Sequence, residues 1–424
     1  MGQSSSSRMQ KEHTRPSTDS GPTPKPIPPP PPFATAVPVV VGTQIPALDL
    51  TFTMDCTGSM GSYIRAAKEN IEAIVKTLAE KEKFDLRFSL VAYRDHPPQD
   101  MTYVTMSFPF TDKLSDMQAS LGKLSAQGGG DGPEAVAAGL KATLDQQWRP
   151  HAAKVCILIA DAPPHGLGES GDGFPNGSPD GVDPLEVLDQ MSMNGICIYS
   201  VGCQPALSHY RFATDFFIAA AERTNGQAVA LGSAALLADV ITGGAIEEMD
   251  LEKLSAQVQQ QVHTLKASEP ELEEAEVQQR VWRNLESAGL HTRQMKTSKL
   301  RPQHAGLISK AKTLNDARSN LTTVSPTDER SMEDAFSGAP RYGAPRKSKK
   351  MGASSAPSAP IYRSMHSRKS RDTKCRDTRE DDDTDTMMEE LSGRIEENVS
   401  LEDASVTLEQ VSRIYGKCKN QGLI

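Results

Sequence analysis

Between residues 45 and 250 the chain alternates short apolar runs with stretches whose apolar residues recur every three or four positions. Runs 48–54, 86–93, 103–110, 154–160, 196–202 and 227–231 read as strands, several of them apolar enough for burial on both faces. Between them, 62–80 places Ile64, Ala67, Ile71, Ile74, Val75 and Leu78 on one helical face. Further helices are predicted over 114–124, 133–148 and 212–223. One more starts at Pro184 behind an Asp183 cap, and a last one near Ser233. Regular β-α alternation predicts an α/β fold, a doubly wound and mostly parallel sheet with helices on both faces. About 200 residues suffice for a full core, with roughly 70% of the chain's surface removed from water.

The flanks have a different texture. Residues 1–44 are Ser-rich and then Pro-rich, with Pro28 to Pro32 unbroken, which predicts a semi-extended stalk without a core. Residues 251–300 are polar with Leu251, Leu254, Val258, Val262 and Leu265 at helical spacing, so a helical extension is expected. Residues 301–385 are rich in Ser, Pro, Arg and Lys and read as a disordered tail. It carries a basic block from Arg346 to Lys350 and an acidic run at 380–383. In 386–424 short amphipathic helices are expected, from Met388, Leu391, Ile395 and Val399 and from Leu408, Val411 and Tyr415.

Composition removes several function classes. The net charge of −9 argues against bulk nucleic-acid binding. No run of 18 apolar residues exists for a membrane span, and the start lacks the apolar region of a secretory signal. The six cysteines are scattered without metal-ligand spacing, so buried free thiols are expected. Met1-Gly2-Gln3-Ser4-Ser5-Ser6 fits an N-myristoylation pattern on Gly2. One such chain gives only marginal, reversible membrane attachment.

The densest chemistry is Asp55-Cys56-Thr57-Gly58-Ser59-Met60-Gly61, between the first strand and the first helix. It sets a carboxylate and two hydroxyls on a tight turn at the carboxyl end of a strand, where open α/β sheets place ligands. Such hard oxygen donors suit Mg²⁺, Mn²⁺ or Ca²⁺. A second D-x-S-x-T match at Asp403 has no strand and no glycine turn in its pattern and reads as chance. The run 154–160 ends in Asp161, and Gly128-Gly129-Gly130-Asp131-Gly132-Pro133-Glu134-Ala135 lies between the two motifs.

These three motifs, in this order, resemble the von Willebrand factor A domain and its metal-ion-dependent adhesion site, over about 48–251. VAYRDH, GGGDGPEA and LIADAPPHG look like the A domains of intracellular fungal and amoebal proteins, some fused to an alpha-type kinase. The resemblance implies a Rossmann-like fold and a cation held by Asp55, Thr57, Ser59, Asp131 and Asp161. It also implies a protein partner that offers an acidic side chain to the ion. Asp131 stands where many A domains use threonine, which makes the site more anionic. Arg94, His96 and His165 are candidates for the ligand rim, with a structural role the plainer reading of each. The long segment 162–182 leaves the strand ending at Asp161 and is expected as a lid or a mobile insert.

A binding module and not an enzyme is therefore expected, membrane-tethered, regulatory, and open to an alpha-type kinase acting in trans. A Mg²⁺-dependent phosphatase using Asp55 is the alternative, but it wants a second Asp where Thr57 stands. A nuclear adaptor acting through the basic tail is the other alternative.

Overall fold

The computed structural model describes residues 45–324 and 398–424. Gly2, the proline-rich stalk, Cys375, the basic block and the expected helix around Leu391 lie outside those residues. No helix among the described residues is long and apolar enough to cross a membrane.

The alternating pattern folds as predicted. Strands β1 (Ala47–Asp55), β2 (Asp85–Tyr93), β3 (Thr105–Thr111), β4 (Ala153–Ala160), β5 (Ile196–Cys203) and β6 (Gln227–Leu231) form one sheet, in the order β3-β2-β1-β4-β5-β6. All pair in parallel except β3, an antiparallel edge strand. Pro109 is tolerated there because an edge strand needs ladder donors on one side only. Helices α1 (Gly61–Val75), α2 (Leu114–Gly122) and α6 (Leu237–Ser268) lie on one face, and α3 (Val136–Leu144), α4 (Pro184–Met193) and α5 (Ala213–Arg223) on the other. Leu48, Leu50, Phe52 and Met54 point into the first layer, while Thr51 and Thr53 point the other way. There the two threonines are satisfied by the Ser89 and Thr143 hydroxyls at 2.7 and 2.5 Å.

Chain order reverses between β1 and β4, so their carboxyl ends adjoin at the switch point, with Met54 in register with Ile159. The next residue of β1, Asp55, and the first residue beyond β4, Asp161, thereby come to one edge.

The region after residue 250 departs from expectation. Helix α6 continues to Ser268 and α7 (Glu274–Ser287) follows, but 291–296 is a strand, β7 (His291–Lys296). It pairs antiparallel with β8 (Ser400–Ser405), so the Asp403 match sits in a strand and closes no cation turn. Residues 301–324, expected to be disordered, carry α8 (Ala305–Ser309) and α9 (Leu314–Thr322). Ile308, Leu314 and Leu321 are buried against α5 and the second layer. The carboxyl-terminal helix is present as α10 (Leu408–Asn420), and its Val411, Ile414 and Tyr415 close a third apolar cluster with α6 and α7. Arg413 drives into this seam, 3.0 Å from Glu247 Oε1 and 2.7 Å from Glu248 Oε2.

Candidate metal centre

Asp55 is the last residue of β1 and is wholly buried. The chain then turns sharply, and the turn is fastened by the aspartate itself. Asp55 Oδ1 accepts from the Thr57 amide at 2.8 Å and from the Thr57 hydroxyl at 2.7 Å. Ser59 Oγ lies 3.5 Å from Thr57 Oγ1, so the two hydroxyls share one side of the turn before α1 begins. The glycine-rich loop is pinned against it, with Gly58 N donating to Gly128 O and Gln127 N to Cys56 O, both at 3.2 Å. Gly129 has φ +81°, and a Cβ there would sit 2.7 Å from Glu134 Oε1 and 3.3 Å from Thr57 Cβ. Only glycine lets this loop close over the site.

Thr57, Ser59, Asp131, Glu134, Asp161 and Tyr210 line one open cavity of about 290 Å³. Its electrostatics are one-sided. Burial first, then Asp161, pushes the Asp55 carboxyl from 3.8 up to about 7. Burial, then Asp55, pushes Glu134 from 4.5 up to about 11, and the charged neighbours acting most on it are all acidic. Burial also raises Asp131 and Asp161, although the Ser59 hydroxyl draws Asp161 back. Asp55 Oδ2, Glu134 Oε2 and Asp131 Oδ1 are buried and meet no donor among the described residues. Buried carboxylate oxygens without donors are costly unless a proton or a cation joins them. The donor set is oxygen throughout, hard and anionic, and so fits Mg²⁺, Mn²⁺ or Ca²⁺.

Four of the five expected ligands, Asp55, Thr57, Ser59 and Asp161, converge. Asp131 lines the same cavity, where its Oδ2 accepts from Gly173 N and its carboxyl faces Asp95. Glu134 lines it too, close to Thr57 across Gly129. The motif GGGDGPEA held that residue, and a lone carboxylate before an Ala-rich apolar run was the signal for it.

The three rim candidates are corrected by burial. Arg94 is 3% exposed and spends its guanidinium on Cys56 O, Thr102 Oγ1 and Ser125 O, so it braces the turn from behind and pairs with no carboxylate among the described residues. His96 is buried and its Nε2 meets Ser178 Oγ at 2.9 Å. His165 lies between Asp95 and Asp172 at 2.7 and 2.8 Å. The last two fasten segment 162–182 to the sheet edge. Its first residues are buried from Ala162 to Leu167, and Pro163 O accepts from Glu134 N. The segment is therefore a fitted lid beside the cavity.

A family model described as the von Willebrand factor A domain matches residues 49–166, which hold every one of these ligands. The chain carries a von Willebrand factor A domain. It is 35% identical over 151 residues to the alpha-protein kinase vwkA of Dictyostelium discoideum, covering 35% of this chain and 24% of that protein. It is 28% identical over 193 residues to an ariadne-like RING finger protein of Acanthamoeba polyphaga mimivirus, covering 44% and 18%. The chain thus spans less than a quarter of the length of these curated relatives. Similar solved structures are the pilus adhesin SpaC of Lactobacillus rhamnosus GG and a von Willebrand factor type A protein of Catenulispora acidiphila. Their identities are 14% and 16%, with TM-scores of 0.38 and 0.34; each match covers 49% of this chain, and 30% and 43% of theirs. An A domain of this kind supports a protein-interaction role.

Proposed function

We propose that the domain binds a protein partner through a divalent cation held by Asp55, Thr57, Ser59 and Asp161, with Glu134 and Asp131 in support. Bound there, the ion supplies a positive centre to which an acidic side chain of the partner can bind. The observation that carries this reading is the convergence of carboxylates and hydroxyls on one open cavity, with donor-free oxygens beneath it. Binding is favoured over phosphatase chemistry because the Thr57 hydroxyl donates to Asp55 where an acid-base carboxylate would be needed. Kinship of the domain with an alpha-protein kinase makes a kinase acting in trans a candidate partner, and a regulatory role follows from that. Myristoylation of Gly2 would add reversible membrane tethering; loss of the membrane fraction in Gly2→Ala is the check.

The test is calorimetric titration of Mg²⁺, Mn²⁺ and Ca²⁺ into EDTA-stripped chain, wild type and Asp55→Ala. Peptides carrying a single Asp or Glu are then added, with their amide counterparts as controls. Cation binding that Asp55→Ala abolishes, and acidic-peptide binding that needs the cation, are the expected results. Peptide binding equal in EDTA and Mg²⁺ sinks the reading.

A further inference from the structure

On the lid side of the cavity a second group of side chains has the composition of a metal-binding set. One oxygen each of Asp95 and Asp131 and a ring nitrogen of His165 lie within 4.8 Å of one another. Asp95 comes from just past β2, Asp131 from the glycine-rich loop and His165 from the start of the lid. Sequence distance between them is large, so only the fold brings them together.

Two further observations point to a ligand there. Asp95 is 0% exposed, and while its Oδ1 accepts from His96 N at 2.6 Å, its Oδ2 meets no donor among the described residues. Asp131 Oδ1 is in the same state. A buried carboxylate oxygen left this way calls for a partner. The second observation is the way His165 is held. Its Nδ1 lies 2.8 Å from Asp172 Oδ1, and Asp172 is itself fixed by the amides of Gly166 and Phe174 at 2.7 and 2.8 Å. A carboxylate on one ring nitrogen is the usual support of a metal-ligating histidine, since it fixes the ring and commits the other nitrogen to the ion. That other nitrogen, Nε2, faces Asp95.

We propose that Asp95, Asp131 and His165 bind a second divalent cation, of the borderline class of Mn²⁺, Fe²⁺ and Zn²⁺, separate from the ion at Asp55. One imidazole and two carboxylates suit those ions better than Mg²⁺, which prefers an all-oxygen octahedron. The ion takes the place of the proton between Nε2 and Asp95, and that proton leaves to solvent. It ties three pieces together: the end of β2, the glycine-rich loop and the lid. The lid's seating beside the first site then depends on a metal of different chemistry from the one that contacts the partner.

The test uses the full chain, stripped with EDTA, saturated with Mg²⁺ and titrated with Mn²⁺ under electron paramagnetic resonance. Expected is a Mn²⁺ ion that excess Mg²⁺ does not displace and that shows nitrogen modulation from a bound imidazole. His165→Gln and Asp95→Asn should each lose that ion, and Asp172→Asn should weaken it roughly 10–100-fold. Asp55→Asn should keep it while losing the Mg²⁺ response, which separates failure of this site from failure of the first. Circular dichroism confirms folding, and if one of the two ligand variants does not fold the other decides. The proposal is overturned if all Mn²⁺ is competed away by Mg²⁺, if it binds without nitrogen modulation, or if the modulation survives in a folded His165→Gln or Asp95→Asn.

Discussion

Asparagine at position 55 separates the two roles of that carboxylate. The amide oxygen can still accept from the Thr57 amide and hydroxyl, so the turn keeps its fastening. What is lost is the charge on Oδ2, which is buried and donor-free among the described residues. Burial and then Asp161 raise this carboxyl from 3.8 to about 7. At ~1.4 kcal/mol per unit, ionised Asp55 costs the cation-free protein about 4 kcal/mol of stability. The sign follows from proton counting. The unfolded chain releases this proton near pH 4 and the folded chain near pH 7. Between those values the folded state holds more protons, so stability in EDTA falls as pH rises from about 4 to 7 and is flat above.

Asp55→Asn removes that slope. In EDTA at about pH 8 it should be more stable than wild type by up to about 4 kcal/mol, and near pH 4 the two should coincide. With Mg²⁺ at a hundredfold excess over its dissociation constant wild type gains about 2.7 kcal/mol, and the variant gains nothing. Urea unfolding followed by tryptophan fluorescence, at three pH values with EDTA or Mg²⁺, measures all of this. A variant less stable than wild type in EDTA by the same margin at pH 4 and pH 8 would refute the reasoning. Asp55 would then be a structural residue whose charge is not strained.

Other residues give sharper local tests. Glu134→Gln should leave cation-free stability at neutral pH nearly unchanged, because a side chain held up to about 11 is already neutral there. If Glu134 ionises on cation binding, the variant should release fewer protons on Mg²⁺ addition, read by calorimetry in buffers of different ionisation enthalpy. Gly129→Ala introduces a Cβ at φ +81° and 2.7 Å from Glu134 Oε1, so it should weaken Mg²⁺ binding and cost about 1 kcal/mol or more of stability by thermal unfolding. Arg413→Ala leaves Glu247 and Glu248 buried without their guanidinium and should cost about 3–5 kcal/mol in urea unfolding, with Mg²⁺ affinity unchanged because the seam lies in the α6–α10 packing.

Most of the sheet was legible because strand and helix periods report which face of each element is buried, and the four inner strands β1, β2, β4 and β5 are apolar runs buried along most of their length. The misreading at 301–324 had a local cause. Leu314, Ala317 and Leu321 do follow a helical spacing, but they sit among so many polar residues that only the apolar surface of the second layer makes burial worthwhile. The β7–β8 pair was hidden for a different reason. His291–Lys296 and Ser400–Ser405 are polar segments more than a hundred residues apart, and neither has a strand's alternation until the other supplies its ladder.

The α/β alternation, the turn Asp55-Thr57-Ser59 at one strand end and Asp161 at another can all be read along the chain. Those are local features, written in spacing and in one hydrogen-bonded turn. Which carboxylates meet came from the packing of the folded chain. It set Glu134 beside Thr57, brought Asp131 against Gly173 of the lid, and drew Asp95 and His165 into contact across 70 residues. Spacing cannot report such neighbours, because the angle of the glycine-rich loop and the seating of the lid depend on packing between elements distant in the chain.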